Sequence, residues 1–458
     1  MSKPVLRARP SVELRDPRVS GALIRTYRSL SPLYLRFALK LRSVRLLGAP
    51  LAVEAVRAFQ EGGCRLLIAF RHPYGHEPEL IASVISRSIP AAARASASPL
   101  PKTSHAHFVH GHEVALWSGP LVRWVLPRAG ALPVHHVKFD KSGMERIRIH
   151  MLDGAYPLAL APEGQVSYTS YSVPRLERGF ASIAFRCAED LEAADRKERV
   201  TVLPLSVHFH YGRNAPRTLE RALGRLEREC GLESGRDASP QARLGSIAEA
   251  IIASAEGFYG RRDRTSIRTE HGTSLNDRWA ALLGAALAEG ERMLDLPPHG
   301  DPTMRLYRLR QAGWDRIYRD DLGARAGTGA PPPLFRALAD RGAGEAWYAM
   351  RHMELVDLGS YLDFESLSEN DPIDLLIERA NNYLDLTSRL RGGNISDRRE
   401  SALKDAVIVV GEPLEMRERL GEYRASRKTA LDAATMDLEK SYLRCIDLFR
   451  KEYDHGER

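Results

Sequence analysis

The sequence predicts an α/β protein: a mostly parallel sheet flanked by helices, with a large all-helical insertion and a basic helical N-terminus. Two observations carry this prediction. Up to residue 212, short apolar runs of strand length are separated by helical stretches, a pattern typical of a parallel sheet. Residues 214–400 then repeat apolar side chains at helical spacing, and a single strand-like run, 407–410, follows them. Because one strand cannot form a sheet by itself, we expect 407–410 to join the first sheet.

Residues 1–60 are predicted to be a basic amphipathic helical segment. They contain twelve lysines and arginines against three acidic residues, a net charge of +9, whereas the whole chain carries +8. From Leu23 to Arg42, apolar residues and arginines are interleaved, and Ser31-Pro32 is expected to divide this stretch into two helices. The segment either packs on the domain with its arginines in water or lies on an anionic membrane surface. Nucleic acid is a weaker third alternative, because no nucleic-acid-binding motif accompanies the charge.

A core is predicted over residues 61–212. Apolar runs at 65–70, 156–161 and 200–209 are expected to be buried strands, and a helix is expected from Pro78 through Ile85. The carboxyl ends of parallel strands meet at one edge of a sheet, where open α/β proteins place their sites. Polar residues that follow these strands are therefore candidates for function.

The remaining segments are a helical insertion, 213–405, and a C-terminal segment, 406–458. The insertion includes a helix capped at Ser274 and a Gly/Ala/Pro-rich linker from Gly323 to Pro333. The C-terminal segment supplies the last core strand and a helix from about Glu415 to Phe449.

The composition excludes several classes of protein. Hydrophobic residues make up 43% of the 458 and charged residues 28%, which is typical of a folded globular protein. No apolar run is long enough to span a membrane, and the N-terminus lacks the apolar core of a secretory signal. The four cysteines are far apart with no CxxC pair, which argues against a disulfide scaffold and a cysteine zinc site. We expect a cytoplasmic protein.

Two further groups of residues have competing interpretations. Trp117 and Trp124 lie in an apolar stretch, where we favour core packing over contact with an acyl chain or a membrane. Four histidines favour a polar loop over a metal site, because no HExxH or acidic pattern accompanies them. These histidines are His105, His107, His110 and His112.

Polar residues follow the predicted strands in four ordered blocks. Arg71-His72 ends the first strand, and Glu77 comes five residues after the histidine. A carboxylate at that distance can accept a hydrogen bond from one ring nitrogen of His72 and leave the other as a base. The other blocks are Gly130 to His136, Ala161 to Ser167, and Val202 to Leu205.

Taken together, the blocks resemble the glycerolipid acyltransferase family, whose familiar members are lysophosphatidate acyltransferases. The family's HxxxxD motif resembles His72 to Glu77, with Glu in place of Asp. Its G-x-I-P-V-D-R block resembles Gly130 to His136, and its F-P-E-G-T-R-S block resembles Ala161 to Ser167. Smaller similarities are Arg178-Gly179, Pro204 and Gly411-Glu412-Pro413-Leu414. The resemblance covers residues 45–212 and 406–447 and omits most of 213–405.

The resemblance implies acyl transfer from acyl-CoA or acyl carrier protein to the hydroxyl of a lysophospholipid such as 1-acylglycerol 3-phosphate. His72 would be the general base and Glu77 would orient it. Residues that would bind the acceptor are Arg71, His136, Glu163, Gly164 and Arg178. No metal or other cofactor is expected. The partners would be a lipid acceptor, the inner face of the cell membrane as a peripheral site, and acyl carrier protein, with no nucleic acid.

Two alternatives remain open. Arginines of the family pattern are replaced by His136 and Val166, so the acceptor is either the usual phosphate ester or another hydroxyl or amine. The substitution of Glu77 for Asp leaves open a non-enzymatic role, in which the helical region is an interaction module on a degenerate acyltransferase domain.

Overall fold

The computed structural model describes residues 4–12, 16–135, 140–233, 235, 237–260, 274–322, 331–398 and 402–453. The chain divides into two compact units. The sheet unit comprises Leu14–Gly212 and Ala402–Arg458, and the helical unit comprises Met1–Glu13 and Arg213–Ser401. Along the sequence, most of the helical unit is thus an insertion within the sheet unit.

One large sheet organises the sheet unit. The strands of the described residues are β1 (Arg9–Pro10), β2 (Leu41–Leu47), β3 (Cys64–Phe70), β4 (His107–Gly111), β5 (Leu132–Val134), β6 (Leu158–Leu160), β7 (Arg199–His210), β8 (Tyr318–Arg319), β9 (Lys404–Val410) and β10 (Leu414–Glu415). Eight of them form the sheet in the order β2-β9-β7-β3-β6-β4-β5, with β10 on β7. β9 and β10 run antiparallel to β7, and the other pairs are parallel. The predicted α/β class is confirmed, as is the placement of 407–410 in the first sheet.

Helices cover both faces of this sheet. Those of the sheet unit are α1 (Gly21–Phe37), α2 (Ala49–Gln60), α3 (Glu77–Ser83), α4 (Ile89–Ala95), α5 (Val114–Trp117), α6 (Gly119–Arg128), α7 (Lys141–Asp153), α8 (Gly179–Ala193), α15 (Leu420–Ala425) and α16 (Arg427–Tyr453). Successive side chains of β3 point to opposite faces of the sheet, which explains why there are two cores. Leu66 and Ile68 point into the core beneath α2 and α3, whereas Leu67 and Ala69 point into the core beneath α7, α8 and α16.

The N-terminal segment differs from the prediction, because α1 is one helix that continues through Pro32. A proline inside a helix deprives the carbonyl four residues earlier of its partner. Here that carbonyl belongs to Arg28, and it accepts a hydrogen bond from Nη1 of Arg87 at 2.8 Å, which compensates for the loss. Residues 1–60 are therefore not one helical segment: they also contain the edge strand β2 and the helix α2, both packed in the sheet unit.

The C-terminal helix also differs from the prediction. Glu415 lies in β10, which pairs with Thr201 of β7, and is therefore not helical. The helix then begins as the short α15 and is interrupted at Ser426, where the backbone is extended (φ −154°), before α16 starts. Sequence periodicity cannot detect this break, because both helices present their apolar residues to the same core.

The helical unit is built from α9 (Ala215–Cys230), α10 (Pro240–Tyr259), α11 (Leu275–Met293), α12 (Pro302–Ile317), α13 (Pro333–Gly359) and α14 (Ile373–Leu390). Ser274 caps α11 as predicted, its hydroxyl accepting from the N–H of Asp277 at 3.1 Å. Residues 323–330 of the predicted linker lie outside the described residues. Within the described ranges, no helix is long and apolar enough to cross a membrane.

Candidate active site

The turn after β3 brings the first candidate residues to the carboxyl edge of the parallel strands. The N–H of Arg71 donates to the carbonyl of Leu205 at 2.9 Å, which extends the pairing of β3 with β7 by one residue. Gly75 then takes a positive φ of 105°, which residues with a side chain rarely adopt, and α3 begins at Glu77. His72 thus lies where open α/β sheets place their sites.

His72 and Glu77 form a short hydrogen-bonded pair, with 2.6 Å between Nδ1 and Oε2, as the sequence predicts. The N–H of Tyr74 donates to Oε1 at 2.9 Å, and the N–H of Gly75 donates to Oε2 at 2.8 Å. The Glu77 side chain is 1% exposed and that of His72 is 16% exposed. The carboxylate is therefore enclosed by the turn, while part of the imidazole reaches the surface.

The pairing assigns the two ring nitrogens of His72. An ionised carboxylate only accepts hydrogen bonds, so Nδ1 carries a proton and Nε2 is the basic nitrogen. Of the residues that the structure describes, none forms a hydrogen bond with Nε2. The arrangement can take a proton from a group outside the protein, and among the described residues no serine or cysteine is hydrogen-bonded to the imidazole.

The pKa values of this pair move in opposite directions. Burial by itself lowers the pKa of His72, but the hydrogen bond and charge of Glu77 outweigh burial and hold that pKa above its ordinary value. Burial by itself raises the pKa of Glu77, but the hydrogen bond and charge of His72 and the N–H of Gly75 hold it below its ordinary value. Glu77 is therefore ionised near neutral pH, and it makes His72 a stronger base.

Glu163 supports the turn from the next strand. Its Oε2 accepts the backbone N–H of His72 at 2.6 Å, and its Oε1 accepts Nε of Arg71 at 2.6 Å and the hydroxyl of Ser167 at 3.1 Å. Gly164, at a positive φ of 75°, makes the turn after β6 that directs this carboxylate inward. Glu163 was predicted to bind the acceptor. Because it is only 3% exposed, it instead positions the backbone of His72 and does not line an acceptor pocket.

Arg71 is a structural residue, which corrects its predicted contact with an acceptor phosphate. Its side chain is 1% exposed and is paired with Glu163, while Nη2 donates to the carbonyls of Thr169 and Ser172 at 2.8 and 2.7 Å. Tyr442 of α16 lies beneath it, with the guanidinium 5.6 Å from the ring centre. A guanidinium so enclosed has no surface from which to reach a substrate.

The other predicted acceptor residues do not join this cluster. Arg178 forms a half-exposed ion pair with Asp432 at 2.5 Å, and no contact within the described ranges links it to His72 or Glu163. His136 lies outside the described residues. Its neighbour His135 stacks on His112 with ring centres 4.0 Å apart, near the carboxyl ends of β4 and β5.

The histidine group does not lie in a polar loop as the sequence predicted, because His107 and His110 belong to the strand β4. Nε2 of His105 pairs with the carbonyl of Ala129 at 2.8 Å, and Nδ1 of His107 pairs with that of Gly130 at 2.9 Å. Burial lowers the pKa of His107 to about 4, so its ring is neutral near pH 7. In the part of the chain that the structure describes, no group of three or more His, Cys, Asp or Glu residues could hold a metal ion.

The tryptophans overturn the expectation of core packing. Trp117 is 41% exposed and Trp124 is 50% exposed, on the neighbouring helices α5 and α6. Their apolar flanks indicated burial, but the buried residues of α5 are the neighbouring Ala115 and Leu116.

The sequence analysis missed the residues that support the His72–Glu77 pair from behind. Ser167 donates to Glu163, its N–H donates to the carbonyl of His72 at 2.9 Å, and the hydroxyl of Tyr442 donates to the carbonyl of Ala69 at 3.0 Å. Only the proximity of Ser167 to Glu163 in the sequence could have indicated this role. Comparisons of the whole sequence with models of protein families and with curated proteins find no match.

Proposed function

We propose that this protein is an O-acyltransferase that moves a fatty acyl group from a thioester to the hydroxyl of a lysophospholipid, converting 1-acylglycerol 3-phosphate to phosphatidate. The observation that carries the proposal is the His72–Glu77 pair, with Nδ1 held by an ionised carboxylate and Nε2 facing away from it. Such a base suits a reaction in which the substrate supplies the nucleophile. The ordered similarity to acyltransferase motifs favours a thioester as the second substrate.

The proposed reaction has two balanced steps. Nε2 of His72 takes the hydroxyl proton as the acceptor oxygen attacks the thioester carbonyl, which forms a tetrahedral oxyanion. The oxyanion then collapses, the carbon–sulfur bond breaks, and His72 returns the proton to the departing thiolate. Glu77 stabilises the intervening imidazolium, and Glu163 holds the backbone of His72 in place.

Two kinds of acyl acceptor are consistent with the site. Arg71 is enclosed, and Val166, where the family pattern has arginine, is buried. Both observations remove a cation that would recognise a phosphate. The second candidate is therefore acyl transfer to an uncharged hydroxyl or an amine, with the same base and the same donor.

We also propose that the protein works in the cytoplasm, as a peripheral protein on the inner face of the cell membrane. The described chain has no helix that could cross a bilayer, yet the acceptor and the product are lipids. The helix α1 carries Arg25, Arg28 and Arg36 and no acidic residue, which suits an anionic lipid surface. The donor, acyl-CoA or acyl carrier protein, would arrive from the aqueous side.

An acyl-transfer assay on the purified full chain tests the function. Labelled acyl-CoA and acyl carrier protein thioesters are each offered with 1-acylglycerol 3-phosphate, an uncharged monoacylglycerol, and a lyso-lipid bearing a free amine. We expect release of thiol in equal amount to the acylated product, and transfer to 1-acylglycerol 3-phosphate in preference to the other acceptors would support the first candidate. Preference for an uncharged acceptor would support the second candidate. No transfer to any acceptor from either donor would contradict enzymatic function and favour an interaction module.

The pH dependence of kcat/KM follows from the raised pKa of His72. Because an imidazolium cannot accept a proton, kcat/KM should rise with pH through a single ionisation above the ordinary histidine value of about 6.5. In Glu77→Gln the negative charge is gone, so the acid limb should move to lower pH while the maximal rate falls. Glu79→Gln removes an exposed charge that acts weakly on the same ring, and it should shift the limb less. An acid limb that stays in place in Glu77→Gln would contradict the assignment.

A further inference from the structure

Two exposed apolar faces lie on the sheet unit. The tryptophan face, on α5 and α6, is formed by Trp117, Leu121, Val122 and Trp124. The α1 face is formed by Leu30, Leu33, Tyr34 and Phe37. The residues of the α1 face recur at the spacing of one helical face, whereas two successive helices contribute to the tryptophan face; Leu121 (71%) and Phe37 (69%) are the most exposed members. Large apolar side chains that cluster on a protein surface are typical of a site that binds another protein, a ligand or a membrane.

The α1 face is separate from the side of α1 that packs on the domain. Ile24, Ser31 and Leu35 are the buried residues of the helix, and they follow a different stripe from Leu30, Leu33 and Phe37. The helix therefore has one apolar stripe for the core and a second one for the surface. A helix that only had to pack on the domain would carry polar residues in the second stripe.

Backbone hydrogen bonds connect the helices that carry the two faces. The N–H of Arg18 donates to the carbonyl of Pro127, and the N–H of Ser20 donates to that of Arg128, both at 2.8 Å. The N-terminus of α1 therefore lies at the C-terminus of α6. Within α5 and α6, Nε of Arg123 donates to the carbonyl of Ala115 at 2.9 Å and ties the two helices together. The helices that carry the two faces are thus joined end to end, with the α1 face on the later turns of α1.

This surface also borders the candidate active site. The hydroxyl of Tyr27 in α1 donates to the carbonyl of Glu79 in α3, the helix that begins with Glu77. The helix α5 starts just after β4, and β4 is parallel to β6, which is parallel to β3. Its beginning therefore lies at the same edge of the sheet as His72.

The positive charge of this surface indicates which kind of partner it binds. Neither α1 nor α6 contains an acidic residue, whereas together they contain Arg25, Arg28, Arg36, Arg123 and Arg128. The guanidinium of Arg128 lies 4.3 Å from the centre of the Trp124 ring. A second copy of the chain would oppose like charges on this surface, which disfavours a dimer. Tryptophan beside arginine is instead the combination enriched where a protein meets lipid head groups.

We propose that the tryptophan face and the α1 face form one docking surface for an anionic bilayer, which seats the His72 edge of the sheet against the lipid. This inference rests on the proposed lipid acceptor, but it concerns binding and can be tested without the reaction. The tryptophans would enter the head-group region, and the arginines would contact lipid phosphates.

The test compares three full-length proteins: wild type, Trp117→Ser/Trp124→Ser, and the control Leu443→Ser/Leu448→Ser. The control removes two apolar side chains of similar exposure from α16 in the same unit. Each protein is sedimented with phosphatidylcholine vesicles with and without phosphatidylglycerol, at low and high salt. Tryptophan fluorescence is then recorded with brominated acyl chains, and the difference between wild type and the double tryptophan variant isolates the signal of the two replaced residues.

We expect the wild type to bind anionic vesicles more tightly than neutral ones and to lose affinity as salt rises. Replacing the tryptophans should lower the vesicle partition coefficient by roughly tenfold or more, because two large apolar side chains no longer leave water. The control should bind like the wild type. Brominated chains should quench the wild type and leave the tryptophan variant almost unquenched.

Three results would overturn the inference: a tryptophan variant that binds like the wild type, no quenching by brominated lipid, or a dimer that dissociates in the tryptophan variant. Failure of the proposed function would look different. In that case the wild type would bind vesicles as described but would transfer no acyl group to any acceptor.

Discussion

Replacing His72 by alanine is expected to reduce kcat for acyl transfer by roughly 10²–10⁴-fold, the usual contribution of a general base. The imidazole is the group whose Nε2 can take the acceptor proton, and its Nδ1 is held at 2.6 Å by Glu77. Initial rates with saturating thioester and acceptor measure the effect. The loss should fall mainly on kcat, because the proton transfer belongs to the reaction step and not to substrate binding.

The neighbouring His76→Ala is the matched control for this prediction. His76 lies in the same turn, is 47% exposed at its side chain, and faces Glu79 at 3.7 Å. It should keep a rate within a few-fold of the wild type. Equal activity in His72→Ala and His76→Ala, with both proteins folded by circular dichroism, would show that His72 is not the base.

Replacing Glu163 by alanine is expected to destabilise the sheet unit by about 3–5 kcal/mol, since it leaves the buried charge of Arg71 without its partner. The side chains of this ion pair are 1% and 0% exposed, so water cannot compensate for the loss. The same change removes the acceptor of the His72 N–H, so activity should fall with stability. Hydrogen exchange of peptides from β3 and β7, measured in increasing urea, reports the stability of the sheet unit separately from that of the helical unit.

Arg178→Ala is the control that shows whether the loss of stability comes from the burial of the ion pair or from its charges alone. It also breaks an arginine–carboxylate pair, with Asp432, but the two side chains are 52% and 43% exposed. Exposed pairs contribute about 0–1 kcal/mol, so exchange in β3 and β7 should be almost unchanged. If both variants lowered stability equally, the buried pair behind His72 would not have the structural role that we assign to it.

Local patterns were sufficient for much of the fold and for the central pair of the site. The strands around Leu67, Ala159 and Leu203 were predictable because a buried strand is a short, continuous apolar run. His72 and Glu77 were predictable as partners because only four residues, including Gly75 in the turn, separate them. Assignment of 407–410 to the first sheet needed one further step, namely that a single strand requires partners from elsewhere.

Predictions failed where a residue's partner is distant in the sequence. Arg71 looked like a cation available to substrate, but its guanidinium is covered by Glu163, Thr169 and Ser172, about a hundred residues later. Trp117 looked like a core residue, because apolar composition does not say which side of a helix faces the sheet. At Pro32, the donor that α1 loses is replaced by the side chain of Arg87, which lies between α3 and α4.

The sequence by itself determined the α/β class, the pairing of His72 with Glu77, and the excess of positive charge in the first sixty residues. These properties depend on residue type and on short spacings, which the chain carries whether or not it is folded. The tertiary structure alone decided that Arg71 and Glu163 brace the turn and that Trp117 and Trp124 face water. Each of these outcomes depends on residues that are distant in the sequence and meet only after folding, so no local pattern can specify them.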